Sequence, residues 1–127
     1  MVVDDDLGFL EYTRIVLHAA GYQVDTATSA TEGLALIRSV HPDLVIIDVM
    51  MSYSVQEGIN LAREITHDPV LVDIPLFVVT SIARTLESVG FDEKTERAVK
   101  CFLTKPVSPE KLLTRIGRDL SHQKGGK

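Results

Sequence analysis

Four places in the chain hold residues able to do chemistry together: Asp4-Asp5-Asp6, Asp48, Thr80 and Lys105. Asp48 closes the run Leu44-Val45-Ile46-Ile47, branched apolar residues in a stretch too short for a buried helix and suited to a strand covered on both faces. Val2-Val3 precede Asp4, residues 75–79 precede Thr80, and residues 100–104 precede Lys105. Each group therefore stands at the C-terminal end of a strand-like run, the edge where open α/β sheets bind ligands. Taken singly, each has an ordinary explanation. The acidic run suits a helix N-terminus, Thr80 a turn, Lys105 a solvated surface, and Asp48 a strand end entering a loop. Four such coincidences at four strand ends favour one shared site. Carboxylates gathered there repel one another, and a divalent ion relieves the conflict. An all-oxygen site with open positions suits Mg²⁺. A carboxylate beside Mg²⁺, an ammonium and a hydroxyl is equipped to receive a phosphoryl group, with Asp48 as nucleophile and an acyl phosphate as product.

The elements that must position these groups are readable in order. Val2-Val3 is an unusually short first strand. Residues 9–20 have a helical pattern, Phe9/Val16 and Leu10/Leu17 repeating with charge between them, and Gly21 stops the helix. Tyr22-Gln23-Val24-Asp25-Thr26 alternates as a second strand, and Ser29 with Glu32 forms a capping box opening a second helix. That helix should bury Leu34, Leu36, Ile37 and Val40 before His41-Pro42 closes it. After Asp48 comes a loop, then a third helix over about residues 56–66 burying Ile59, Ala62 and Ile65. Pro75 opens a fourth strand, where proline is tolerated. Residues 85–96 are polar with weak periodicity and read as a short or shifted helix. Ser108-Pro109 caps a last helix burying Leu112, Leu113, Ile116 and Leu120.

Strands alternating with helices through short connections imply a parallel sheet covered on both sides. The 127 residues make one domain, able to bury about two-thirds of the unfolded chain's surface. A net charge of −5 argues against direct nucleic-acid binding, which needs a basic face. The single cysteine, Cys101, cannot form an internal disulfide and reads as inert core. His18, His41, His67 and His122 lack ligand spacing and read as surface or packing residues. No signal peptide or membrane-length apolar run is visible, so a cytoplasmic protein without membrane contact is expected.

Over essentially its whole length the chain resembles a response-regulator receiver domain of two-component signalling, the CheY-like superfamily. The resemblance rests on Val3-Asp4-Asp5, on Asp48 after Leu44 to Ile47, on Thr80-Ser81 after Phe77-Val78-Val79, and on Lys105-Pro106. It implies a flavodoxin-like, doubly wound, five-stranded parallel sheet of order 2-1-3-4-5 with helices on both faces. The receiver would span residues 1–122, with 123–127 a disordered tail. Asp48 would be the phosphoacceptor. Mg²⁺ would be held directly by Asp5 and Asp48, by Asp4 mostly through water, and by the backbone carbonyl of Met50. Thr80 and Lys105 would bind the phosphoryl oxygens, Lys105-Pro106 would be cis, and Thr80 with Phe102 would form the switch. The donor would be a sensor histidine kinase or phosphotransfer protein. The recipient of the signal would be a separate target or an output domain on a longer chain, and a phosphorylation-dependent dimer is compatible. The chain reads as a stand-alone receiver or as a piece of a longer regulator or hybrid kinase.

Several positions depart from the family pattern. Met51 is kept, but Ser52 replaces the usual proline and Gly58 comes late, so the loop after Asp48 is expected to be longer. The segment between Thr80 and Lys105 also reads slightly long and lacks the usual Gly-Ala before the fifth strand. Met50 and Ile82 are apolar where polar residues in relatives position attacking water, which predicts slow self-hydrolysis. A competing reading is a phosphorylation-independent docking module on a receiver-like fold. A phosphoaspartate hydrolase would need a second acid near Asp48, which neither Ser52 nor Tyr53 supplies. A flavin or nucleotide domain is disfavoured because no Gly-rich loop follows the first strand.

Overall fold

The computed structural model describes residues 1–50, 55–81 and 89–125, the side chains only as far as residue 121. Its elements in order are β1 (Val2–Val3), α1 (Leu7–Ala19), β2 (Thr26–Ala27), α2 (Ala30–Val40), β3 (Val45–Asp48), α3 (Val55–His67), β4 (Leu76–Thr80), α4 (Glu93–Ala98), β5 (Val99–Thr104) and α5 (Pro109–Gly125). All the strand pairs are parallel and the sheet order is β2-β1-β3-β4-β5, the expected doubly wound arrangement.

Alternation along the strands sorts the apolar residues into two cores, because successive side chains leave opposite faces of a sheet. Val2, Ile46, Phe77, Val79, Cys101 and Leu103 turn to the face packed by Leu10 and Leu17 of α1 and Leu112 and Ile116 of α5. Val3, Val45, Ile47, Leu76 and Val78 turn to the other face, against Ile37 of α2 and Leu61, Ala62 and Ile65 of α3. Burial on both sides explains why these strands read as nearly unbroken apolar runs. The short β1 is reinforced beyond its ladder: Asp4 donates its amide to the carbonyl of Ala27, and Ile46 donates to that of Met1.

Side chains satisfy the helix starts. Asp6 accepts from the Phe9 amide to cap α1, and Ser29 accepts from Glu32 to cap α2. Glu32 returns the bond to the Thr28 amide, and Glu57 of α3 accepts from the Ala30 amide, tying α2 to α3. Asp92 caps α4, and Ser108 accepts from Lys111 at the start of α5.

The structure differs from the expected elements in places. Only Thr26–Ala27 pair as β2, because Tyr22 and Val24 lean on the α1/α5 core before the chain reaches the sheet. Val40 is 45% exposed, since α2 ends there and His41 turns away at a φ of 55°. α3 starts at Val55 and runs to His67, and β5 starts at Val99. α4 is confined to Glu93–Ala98 by its Asp92 cap; residues 85–88 of the expected helix lie outside the described residues. So do Met51 to Ser54, on which the longer loop rests. α5 extends to Gly125, past the expected domain edge at 122. Among the described residues, no helix is long and apolar enough to cross a membrane.

Two glycines admit close approaches. A Cβ on Gly33 of α2 would meet Val3 Cγ2 at 2.9 Å, and one on Gly58 of α3 would overlap the Val49 carbonyl, immediately after Asp48. Gly58→Ala should therefore lower unfolding free energy by about 2–3 kcal/mol through overpacking against backbone. Gly117→Ala in α5, where the nearest atom is the Tyr22 hydroxyl at 3.9 Å, should be neutral or stabilising by about 0.5–1 kcal/mol. Urea unfolding of both variants checks the pair. Equal destabilisation would rule out the specific contact at Val49.

Candidate functional site

Asp4 and Asp5 follow β1, Asp48 ends β3, Thr80 ends β4 and Lys105 follows β5, so the parallel sheet delivers them all to one edge. Asp4 is fully buried and Asp48 is 6% exposed, whereas Asp5 is open to solvent. The Lys105 ammonium reaches back across the strand ends. Its Nζ lies 2.8 Å from Asp4 Oδ2 and 3.3 Å from Asp48 Oδ2, with Asp6 Oδ2 at 3.6 Å. The backbone holds both carboxylates bonded to the ammonium. Asp4 Oδ1 accepts from the Asp6 amide at 2.9 Å, and Asp48 Oδ1 accepts from the Met50 amide at 3.1 Å. The Lys105 amide donates to the Thr80 carbonyl at 2.9 Å, and the Lys105-Pro106 bond is cis. Thr80 itself is fully buried.

The electrostatics follow from crowding. Burial, reinforced by the charge of Asp4, pushes the Asp48 carboxyl up from 3.8 to about 7, and Lys105 only partly offsets this. Burial pulls the Lys105 ammonium down, but its bonds to Asp4 and Asp48 outweigh that and leave it above the ordinary lysine value. One ammonium is thus set among more carboxylates than it can neutralise.

The donor set fits a hard divalent cation. Asp4, Asp5 and Asp48 each offer a carboxylate oxygen, all within 4.8 Å of one another, so one ion could be held by all three. Oxygen-only ligands with an exposed side at Asp5 leave room for water or a phosphoryl oxygen.

A family model described as the response regulator receiver domain matches residues 1–117. The chain belongs to the response regulator receiver domain family. Curated relatives include the transcriptional regulatory protein GlrR of Escherichia coli K12, 34% identical over 116 residues covering 91% of this chain and 24% of that protein. The DNA-binding response regulator MtrA of Mycobacterium tuberculosis H37Rv is 28% identical, over 91% of this chain and 47% of its own length. This receiver domain thus spans less than half the length of these relatives. Among solved structures, a CheY-like receiver domain protein from Methanospirillum hungatei JF-1 is similar at a TM-score of 0.84 and 29% identity, covering 99% of this chain and 95% of that one. A putative response regulator from Chloroflexus aurantiacus J-10-fl gives 0.80 and 28%, with 94% of each chain covered.

In this receiver domain the structure brings Asp4, Asp5, Asp48 and Lys105 into one cluster and sets Thr80 beside it through the backbone. Met50 is half-buried and bonded to Asp48 through its amide, while Ile82 lies outside the described residues. Phe102 pairs in register with Val78 and packs on the α2/α3 core. Cys101 is buried, and burial raises its thiol pKa, as expected of an inert core thiol. His18, His41 and His67 are exposed, and His67 contacts the α4 cap Asp92 at 3.2 Å. Sequence reasoning assigned no role here to Asp6 beyond the acidic run, nor to Phe9 beyond the helix core. The available signal was spacing: Asp6 caps the helix whose first turn carries Phe9.

The raised Asp48 carboxyl makes a prediction with a definite sign. The folded state keeps that proton up to about pH 7, while the unfolded chain releases it near 3.8. Between those values folding takes up a proton, so stability falls as pH rises through the window. Asp48→Asn removes the dependence. A shift of that size corresponds to about 4 kcal/mol; screening at the open side reduces the expected gain to about 1–2 kcal/mol. In metal-free buffer the variant should unfold at higher temperature than the native protein at about pH 8, the gap closing towards about pH 4. Added Mg²⁺ should narrow it. A gap independent of pH would contradict the raised carboxyl.

Proposed function

We propose that this receiver domain accepts a phosphoryl group on Asp48 in a Mg²⁺-dependent reaction and uses the modified state to switch its binding to a partner. The observation that carries the reading is the pairing of Asp48 Oδ2 with Lys105 Nζ at 3.3 Å, beside two further carboxylates able to share a cation. The donor is a sensor histidine kinase or a phosphotransfer protein. The signal passes to a separate protein or to an output domain on a longer chain, in the cytoplasm and without direct contact to nucleic acid or membrane.

In the step itself, an Asp48 carboxylate oxygen forms a bond to phosphorus while the bond from phosphorus to the donor atom breaks. The electron pair of the broken bond leaves with the donor. The Asp48 carboxyl must be ionised to attack, and Lys105 together with a bound cation favours that form over the protonated one. Bound Mg²⁺ would be held by Asp5, Asp48, the Met50 carbonyl and, through water, Asp4, and it supplies neutralisation of the phosphoryl charge. Lys105 donates to a phosphoryl oxygen, and the Thr80 hydroxyl to another. Thr80 moving towards the phosphoryl group lets Phe102 repack, the two together forming the switch. The domain has no catalytic role beyond its own phosphorylation and dephosphorylation.

Intact mass after incubation with Mg²⁺ and acetyl phosphate tests the reading. One added phosphoryl group is expected, with acetate released, and none in Asp48→Asn or without Mg²⁺. A folded native protein that takes up nothing would overturn it in favour of phosphorylation-independent docking.

The apolar Met50 beside Asp48 leaves no side chain there to orient water. The phosphorylated domain should therefore lose its phosphoryl group slowly, over minutes or longer, and Met50→Asp should hasten the loss. Decay within seconds in the purified native protein would contradict this.

A further inference from the structure

The Lys105 ammonium has a fourth neighbour that carries no charge. Its Nζ sits over the ring of Phe9, 4.4 Å from the centroid. That distance is well inside the range in which a ring face attracts a cation. The lysine side chain is only 16% exposed, so water competes weakly for the charge. Local structure also fixes the ring. Asp6 caps α1 by accepting from the Phe9 amide at 3.2 Å, while its other carboxylate oxygen faces the same ammonium at 3.6 Å. One turn on, the Phe9 and Tyr12 rings pack at 6.5 Å between centroids. The Tyr12 hydroxyl donates to the Val107 carbonyl at 2.9 Å, just beyond Lys105-Pro106. The first two turns of α1 are thereby joined to the lysine's ammonium and to the chain just beyond the lysine.

Resting on the phosphoacceptor reading of Asp48, we propose that Phe9 is a positioning residue for phosphoryl transfer: its ring holds the Lys105 ammonium at the strand-end edge without itself taking up one of the N–H donors, so that the donor now bonded to Asp48 can pass to a phosphoryl oxygen. A carboxylate in the same place would also hold the cation. It would, however, occupy a donor and repel the incoming phosphoryl group. A ring face does neither, because its attraction comes from the quadrupole and it offers no lone pair to an N–H. When the phosphoryl group arrives, Lys105 can exchange its bond to Asp48 for one to a phosphoryl oxygen without leaving the ring. The role belongs to aromatic character, so leucine, apolar but without a quadrupole, should not replace it, and tyrosine should.

Two measurements on the full chain test this with Mg²⁺ and acetyl phosphate as probes. The first is the carbon–proton NMR spectrum of the lysine ε-methylenes. Ring current should shift the Lys105 signal upfield in the native protein and in Phe9→Tyr, and Phe9→Leu should abolish the shift. The second is the phosphorylation rate at saturating acetyl phosphate. Phe9→Leu should be slower by roughly threefold to thirtyfold, with Phe9→Tyr close to native. Phe9 is only half-buried, so both variants should fold, and thermal unfolding checks that they do. A Phe9→Leu protein that phosphorylates at the native rate overturns the inference, as does a native spectrum without a shifted lysine. A slow Phe9→Tyr protein would likewise place the effect in packing rather than in the ring's charge distribution. A native protein that shows the shifted lysine but takes no phosphoryl group would instead remove the phosphoacceptor reading, and the transfer role with it.

Discussion

The strand-end edge depends on the Lys105 ammonium. In the order β2-β1-β3-β4-β5, β5 is at the far end from Asp4, yet Lys105 Nζ reaches Asp4 Oδ2 at 2.8 Å. The same ammonium also meets Asp48 at the end of β3, 3.3 Å from its Oδ2. A shorter cationic side chain could not bridge that span. Without the ammonium, two buried carboxylates would face each other unpaired, a severe desolvation penalty. With it, Asp48 is still pushed up to about 7, because burial and then the charge of Asp4 outweigh what Lys105 offsets. The edge is therefore incompletely neutralised by its own residues.

The architecture that concentrates the charges is an apolar one. Strands of two to six residues, the central β1, β3 and β4 buried on both faces, bring their carboxyl ends together at one edge. Close packing sets the height of the helices relative to that edge. Gly33 lets α2 approach Val3, the residue before Asp4, and Gly58 lets α3 rest on Val49, the residue after Asp48. Both contacts lie next to a site carboxylate. Helix packing and site geometry are consequently coupled at Asp4 and at Asp48, so a change in one is felt by the other.

What could be read from sequence followed the strength of the local pattern. Leu44 to Asp48 is an apolar run ending in an acid, and Lys105-Pro106 follows another, so the parallel sheet and the meeting of these groups at one edge were legible, while the strand order came from the family resemblance. β2 was misplaced because Tyr22 and Val24 alternate as a strand would, although their side chains pack on the α1/α5 core ahead of the sheet. Val40 continued the helical period of α2, but the helix ends at the left-handed His41 before that side chain reaches the core. The extent of α4 could not be read from weak periodicity, since one cap at Asp92 decides where it starts. Phe9 matches the core period of α1 and does lean on that core. Its contact with Lys105 joins two segments at opposite ends of the chain, and no local pattern records such a meeting.

On the phosphoacceptor reading, the distribution of charge also explains how a signal entering here would alter the domain. A ligand shifts a conformational equilibrium only by its differential affinity for the two states. At this edge the balance is incomplete: Asp48 is held partly protonated near neutrality, and Lys105 is shared among Asp4, Asp48 and Asp6. On the phosphoacceptor reading, a cation would relieve the acids, a phosphoryl group would redirect the lysine, and each would change which arrangement of the strand ends is lowest in free energy. Phe9 is the exception among the neighbours of the ammonium, because its attraction does not depend on protonation and is not satisfied by a cation. On the proposed reading, the ring would remain a fixed support as the carboxylates change partners, confining rearrangement to the acids and the elements behind them.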